Sequence, residues 1–128
     1  VDGFKKYVFR GRSSAPKVTI RKCGQMSFNS GAVQKYDLYT YEFVILYISN
    51  DKGRIAIELT NNEKESGLIK IQKRPGSFAF SARNFLSLND IDWSATVNYD
   101  FKWIPKDRLA IFKITAPGGN DAKEKNDR

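Results

Sequence analysis

The sequence predicts a mainly β fold with two short helices, arranged as two tandem β-β-α-β-β repeats, and three observations carry that prediction. The first is an internal repeat. Val18-Thr19-Ile20-Arg21-Lys22 aligns with Ile69-Lys70-Ile71-Gln72-Lys73, Gly24 with Gly76, Phe28 with Phe80, and Arg54-Ile55-Ala56-Ile57 with Arg108-Leu109-Ala110-Ile111. The second is the order of patterns inside each copy, where alternating apolar residues lead to a Gly turn, more alternation, a helical stretch and a hairpin. The third is size: a unit of about 45 residues lies near the limit below which a lone core seldom suffices, so the copies are expected to share one globular domain.

The elements follow in order. Residues 1–16 contain Gly3, Gly11, Ser13, Ser14 and Pro16 among basic side chains and read as a basic N-terminal arm. Residues 17–60 form the first repeat. Val18 and Ile20 alternate with Lys17, Thr19 and Arg21 as in a half-buried strand, Cys23-Gly24-Gln25 makes a tight turn, and Met26 and Phe28 resume the alternation. Asn29, Ser30 and Gly31 offer an N-cap to a two-turn helix with Ala32, Val33, Tyr36 and Leu38 on its apolar side. Residues 42–48 and 54–59 then make a hairpin, with Gly53 expected to supply the positive backbone angle of its turn. Residues 43–48 are apolar throughout, which predicts a strand buried on both faces, mid-sheet or in a barrel.

Residues 61–67 are polar and read as a linker, and residues 68–115 as the second repeat. There Ile69 and Ile71 mark a strand, Arg74-Pro75-Gly76 a turn, and Phe78 and Phe80 a second strand. Ser81 is expected to cap a helix over residues 83–90 with Phe85 and Leu88 inward, and residues 96–104 and 108–114 form a hairpin around Pro105-Lys106-Asp107. Residues 116–128 hold Pro117-Gly118-Gly119 and no large apolar side chain, which predicts a disordered tail.

Composition narrows the chemistry. A single cysteine, Cys23, and no histidine exclude an internal disulfide, the common zinc ligand sets and Ser-His or Cys-His nucleophilic pairs. An enzyme would have to work with carboxylates, lysines or a bound metal, and the acidic residues show no regular metal spacing; Asp90-Ile91-Asp92 reads as a helix exit. The expectation is a non-enzymatic protein with no cofactor and no metal. The longest apolar run is six residues, against the roughly 20 a membrane helix needs, so no membrane partner is expected and a cytoplasmic, reduced setting is the default. Charge is uneven: residues 1–22 hold seven basic groups against Asp2 alone, while residues 23–115 carry 12 basic and 10 acidic groups. A basic end on a nearly neutral body is a footprint of polyanion binding.

The stretch from Thr19 through Arg21, Lys22, Gly24 and Phe28 to Asn29, the apolar helix ending at Tyr36-Asp37-Leu38, and the hairpin from Val44 to Leu59 resemble the swapped-hairpin DNA-binding domains of the AbrB, MazE and SpoVT type. Members of that family interleave two copies into one barrel, normally as a homodimer. The resemblance implies one intramolecular pseudo-dimeric swapped-hairpin barrel, contact with duplex DNA, a role in transcription regulation and scope for a further homo-oligomer. Both copies depart from the family: Gln25 and Ser77 follow the turn glycine and Val33-Gln34 and Phe85-Leu86 stand at the helix start, where DNA-binding members commonly carry basic residues, and Asn29 and Ser81 stand where a proline often closes the second strand.

Nucleic-acid contacts are therefore expected at the turn entries Arg21 and Lys22 and, in the second copy, Lys73 and Arg74, with Arg10, Arg12 and Lys17 following the phosphate backbone from the arm. Two other readings stay open. One is a protein-interaction or structural domain that kept the barrel and lost DNA reading. The other is single-stranded nucleic-acid binding by bases stacking on exposed aromatics among Tyr36, Tyr39, Tyr41, Tyr47, Trp93, Tyr99, Phe101 and Trp103.

Overall fold

The computed structural model describes Gly3 and residues 15–74 and 77–114. Arg10 and Arg12, most of the arm, the Pro75–Gly76 turn and the C-terminal tail lie outside the described residues. Among the described residues, ten strands and two helices follow in the order β1 Val18–Ile20, β2 Gln25–Phe28, α1 Ser30–Tyr36, β3 Phe43–Ile48, β4 Arg54–Thr60, β5 Ile69–Lys70, β6 Gln72–Arg74, β7 Ser77–Ser81, α2 Arg83–Leu88, β8 Val97–Tyr99, β9 Lys102–Ile104 and β10 Leu109–Lys113. A short 3₁₀ turn, Leu38–Thr40, follows α1.

The fold is mainly β with two helices, as the alternation predicts, but the barrel expected for it is not closed. The strands form two five-stranded antiparallel sheets, in the order β6-β7-β2-β1-β8 and β5-β3-β4-β10-β9. The chain changes sheet at two corners. Ile71 separates β5, which pairs with β3, from β6, which pairs with β7; Asp100 and Phe101 separate β8 on β1 from β9 on β10. Residues 96–104, read from sequence as one hairpin strand, are thus two short strands in different sheets.

The two sheets bury the apolar rows that alternation placed on one face. Val18, Ile20, Met26, Phe28, Phe78 and Phe80 come from the first sheet, and Val44, Ile55, Ile57, Leu59, Ala110 and Phe112 from the second. Their burial supplies the main favourable term, roughly 1.5–3 kcal/mol for each large side chain fully removed from water. Phe28 lies edge-on to Phe78 and Phe101, which fixes ring orientation in the core. Two ladders join the halves of the chain. Between β2 and β7, Ser27 stands opposite Ala79; between β4 and β10, Ala56 stands opposite Ile111 and Ile57 opposite Ala110.

Helix α1 starts as expected, with the Asn29 side chain accepting the Ala32 N–H, and ends at Asp37 in the left-handed region. Helix α2 departs from expectation. Ser81 is the last residue of β7, Ala82 precedes the helix without a side-chain cap, Leu86 is the buried residue, and Leu88 is 79% exposed. The helix is shorter than the sequence pattern suggests, so Leu88 in its last turn falls off the inward face. In the β3–β4 turn, Lys52 rather than Gly53 takes the positive φ, because Ser49 and Asp51 accept the Gly53 N–H and hold the turn from the side-chain side. Strand β3 is less enclosed than its apolar run implies. β5 covers only Phe43 and Val44, and Tyr47 is 45% exposed.

Candidate nucleic-acid interface

The register of the first sheet decides where the predicted basic residues point. Directly paired residues share a face, so Thr19, Ser27, Ala79 and Gln72 form one row. Alternation then puts Lys17 and Arg21 on that face, together with Arg74, which pairs with Ser77. Arg21 and Arg74 stand at diagonal corners, about 20 Å apart on standard strand geometry. The floor between them is closed to solvent, with Thr19, Ser27 and Ala79 exposed by only 8%, 5% and 6%.

Lys73 is on the other face, opposite Phe78. Its ammonium donates to the Glu42 carboxylate at 2.8 Å and to the Tyr39 carbonyl at 2.7 Å. The same hydrogen bond and charge hold the Glu42 carboxyl below the ordinary carboxylate range. Lys17 is likewise engaged, in an ion pair with Asp100, which joins the start of β1 to the corner after β8. Among the described residues, Arg21, Lys22 and Arg74 form no ion pair, and all three are exposed. The predicted group of described cations therefore divides into three exposed side chains at the two turns and two that cross-link the fold.

The turn that presents Arg21 and Lys22 is tightly built. The Arg21 N–H donates to the Gln25 carbonyl and the Gly24 N–H to the Arg21 carbonyl, both at 2.8 Å. Gly24 has φ +91° and lies against Arg83 at the start of α2. The Lys22 N–H donates to Thr96 Oγ1, so the turn is tied on its other flank as well.

The outer face of the second sheet carries Tyr47, one of the aromatics that the sequence offers for base stacking, together with cations that the sequence pattern left unassigned. Tyr47, Ala56, Ile111 and Lys102 form one row across four strands, and Ile45, Glu58, Leu109 and Ile104 the next. Arg54 and Lys113 pair at one margin. Lys70 stands over the Phe43 ring at the far end, 5.5 Å from its centroid. Glu58 is the one carboxylate on these strands of the face. It accepts the Tyr47 hydroxyl on one oxygen, and Arg108 approaches the other at 3.4 Å. That hydrogen bond, with partial burial, pushes the Tyr47 phenol up to about 12. The sequence signals for this face were the repeated Arg54 and Arg108 and the candidate stacking residue Tyr47. Most other aromatics are used internally: Tyr36 stacks on Trp103 at 5.3 Å and meets Phe101, and Tyr99 packs on Phe112.

Asp90 and Asp92 lie at the exit from α2, as the sequence suggested, and Asp92 accepts the Ser94 N–H there, which lowers its carboxyl. No helix among the described residues is long and apolar enough to cross a membrane. Compared with known proteins, the chain matches no family model, no curated protein and no solved structure.

Proposed function

We propose that this chain is a nucleic-acid-binding module without catalytic activity that contacts duplex DNA through Arg21, Lys22 and Arg74, in a role of transcription regulation. The observation that carries the reading is the set of exposed cations at the two turns of the first sheet, without an ion pair among the described residues, with Arg21 and Arg74 on one face. Their separation of about 20 Å exceeds a major groove of about 12 Å. Side chains of their length reach inward to phosphates on both walls. Arg10 and Arg12 extend the same charge along the chain.

The proposal includes the duplication. The alignment that equates Gly24 with Gly76 equates Ser27 with Ala79, and these residues are partners at the centre of the β2–β7 ladder. The alignment of Arg54 with Arg108 equates Ala56 with Ala110 and Ile57 with Ile111, and the β4–β10 ladder pairs them crosswise. Both registers are what a two-fold relation between diverged copies requires, so the two basic turns become equivalent positions of a pseudo-dimer.

The test is titration of a mixed-sequence duplex of about 20 base pairs against the parent chain and the Arg21→Ala, Lys22→Ala, Arg74→Ala triple variant. Parent affinity should fall steeply with salt, and the triple variant should reduce the logarithmic salt slope by about 0.9 for each phosphate that it no longer neutralises. No duplex binding at about 50 mM salt, or an unchanged slope in the variant, would overturn the proposal.

A further inference from the structure

The outer face of the second sheet has a composition unlike the rest of the surface. Its centre is apolar, with Ala56, Leu109, Ile104 and Ile111 half-buried and the Tyr47 ring 45% exposed. Its margins are basic. Arg54, Lys102, Lys106 and Lys113 form no ion pair among the described residues, against Asp51 and Asp107 in the neighbouring turns. Of the other carboxylates that bear on the ring, Glu58 has both oxygens engaged by Tyr47 and Arg108, and the charge of Glu65 helps to raise the Tyr47 phenol.

The Tyr47 ring also divides the surface. Two depressions, of about 340 and about 200 Å³, are both lined by Tyr47 and Ala56. The larger runs toward Glu58, Lys106, Asp107, Arg108 and Leu109, and the smaller toward Ser49, Arg54 and Ile111. A planar aromatic standing between two shallow hollows that mix apolar and charged lining, with Lys106 beside one and Arg54 beside the other and neither in an ion pair among the described residues, matches a polyanion whose repeating units carry flat apolar rings.

We propose that this face binds single-stranded nucleic acid, with unpaired bases stacking on the two sides of Tyr47 while Arg54, Lys102, Lys106 and Lys113 neutralise the phosphates. Duplex DNA does not fit this role, because its bases are stacked on one another and present no free face. The ring needs no rearrangement to act. Its hydroxyl is already tethered to Glu58, so little rotamer freedom is lost when a base stacks on it. The site is separate from the turns of the first sheet, and the two proposals stand or fall independently.

The experiment is a fluorescence-anisotropy titration of labelled oligo-dT and oligo-U, each about 20 nucleotides, at about 50 mM salt. The variants are Tyr47→Ala, Tyr47→Phe and the triple change Arg54→Ala, Lys102→Ala, Lys113→Ala. Tyr47→Ala should weaken binding roughly 5- to 100-fold, as expected for losing a base-stacking ring. Tyr47→Phe keeps the ring and should stay within about three-fold of the parent, which separates stacking from loss of fold. The triple variant should bind more weakly and with a shallower salt dependence. In the background of the Arg21→Ala, Lys22→Ala, Arg74→Ala variant, Tyr47→Ala should weaken single-strand binding by the same factor as in the parent. The dT and U arms distinguish DNA from RNA as the preferred strand. Absence of binding to both oligomers, Tyr47→Ala binding like the parent, or a parent dimer in sedimentation that Tyr47→Ala dissociates would each overturn the proposal.

Discussion

At the scale of single residues, Gly24 shows how one position can fix the placement of a basic turn. A side chain there would meet two obstacles. Its φ of +91° is a region L-residues rarely adopt, and a Cβ would fall 2.1 Å from Arg83 Cγ. Gly24→Ala is therefore expected to destabilise the fold by about 1–3 kcal/mol, read from the shift in urea midpoint at constant slope. A change under about 0.5 kcal/mol would show that the turn and α2 part more easily than their packing suggests. The glycine was legible in the sequence because its neighbours alternate on both sides. Lys52 was not, since the carboxylate and hydroxyl that shape its turn, Asp51 and Ser49, act through side-chain acceptors that no alternation pattern reveals. Lys73 was misplaced for a similar reason. Its sequence neighbours Lys70 and Arg74 suggest a basic strand end, but period-two geometry turns it inward toward a carboxylate 31 residues earlier in the chain.

At the scale of elements, the two helices contrast. Asn29 serves α1 three times over: its Oδ1 accepts the Ala32 N–H at 2.9 Å and the Lys17 N–H at 3.0 Å, and its Nδ2 donates to the Ala15 carbonyl at 2.7 Å. One side chain thus caps the helix and pins the chain entering β1. Asn29→Ala should cost about 1–2 kcal/mol, the upper part of the range for an N-cap, because it strands a second donor as well. Thermal melts of Asn29→Ala and Asn29→Asp would check this; Asp keeps the acceptor and should lose less. Ser81, the aligned residue of the second copy, ends a strand and caps nothing. The periodicity of α1 was readable because its cap and buried residues are local. In α2 the inward residue is Leu86 rather than Leu88, and a six-residue helix is too short for periodicity to separate them. The split into β8 and β9 was equally hidden, since a corner between sheets is set by long-range partners, β1 on one side and β10 on the other.

For the whole molecule, the consequence of the β2–β7 and β4–β10 ladders is that neither half has a core of its own. Val18, Met26 and Phe28 pack with Phe78 and Phe80, and Ile55 and Ile57 with Ala110 and Phe112. The chain is expected to unfold in one cooperative step. Both tryptophans, Trp93 and Trp103, belong to the second half, which makes a direct test possible. Ile57→Ala, in the first half, should lower stability by about 2–5 kcal/mol and move the tryptophan fluorescence transition and the far-ultraviolet dichroism transition together. If the dichroism shifts and the fluorescence does not, the halves fold separately. The shared core was legible because repeat alignment and alternation both report on buried residues. The candidate interfaces were less so, because which cations are neutralised depends on partners such as Glu42 and Asp100 that only the fold brings near.

The corners at Ile71 and at Asp100–Phe101 carry a further consequence. The margins of both sheets are β6 and β8 in one, and β5 and β9 in the other, and none is longer than three residues. A foreign strand meets only short rows of unpaired N–H and C=O groups on these four margins, and the longest open edge among the described residues is the stretch 45–48 of β3, which β5 leaves uncovered. Where the chain turns from one sheet to the other, it also interrupts any growing ladder. A protein this rich in β structure and aromatic side chains thereby confines the place where edge-to-edge aggregation can start to the uncovered part of β3.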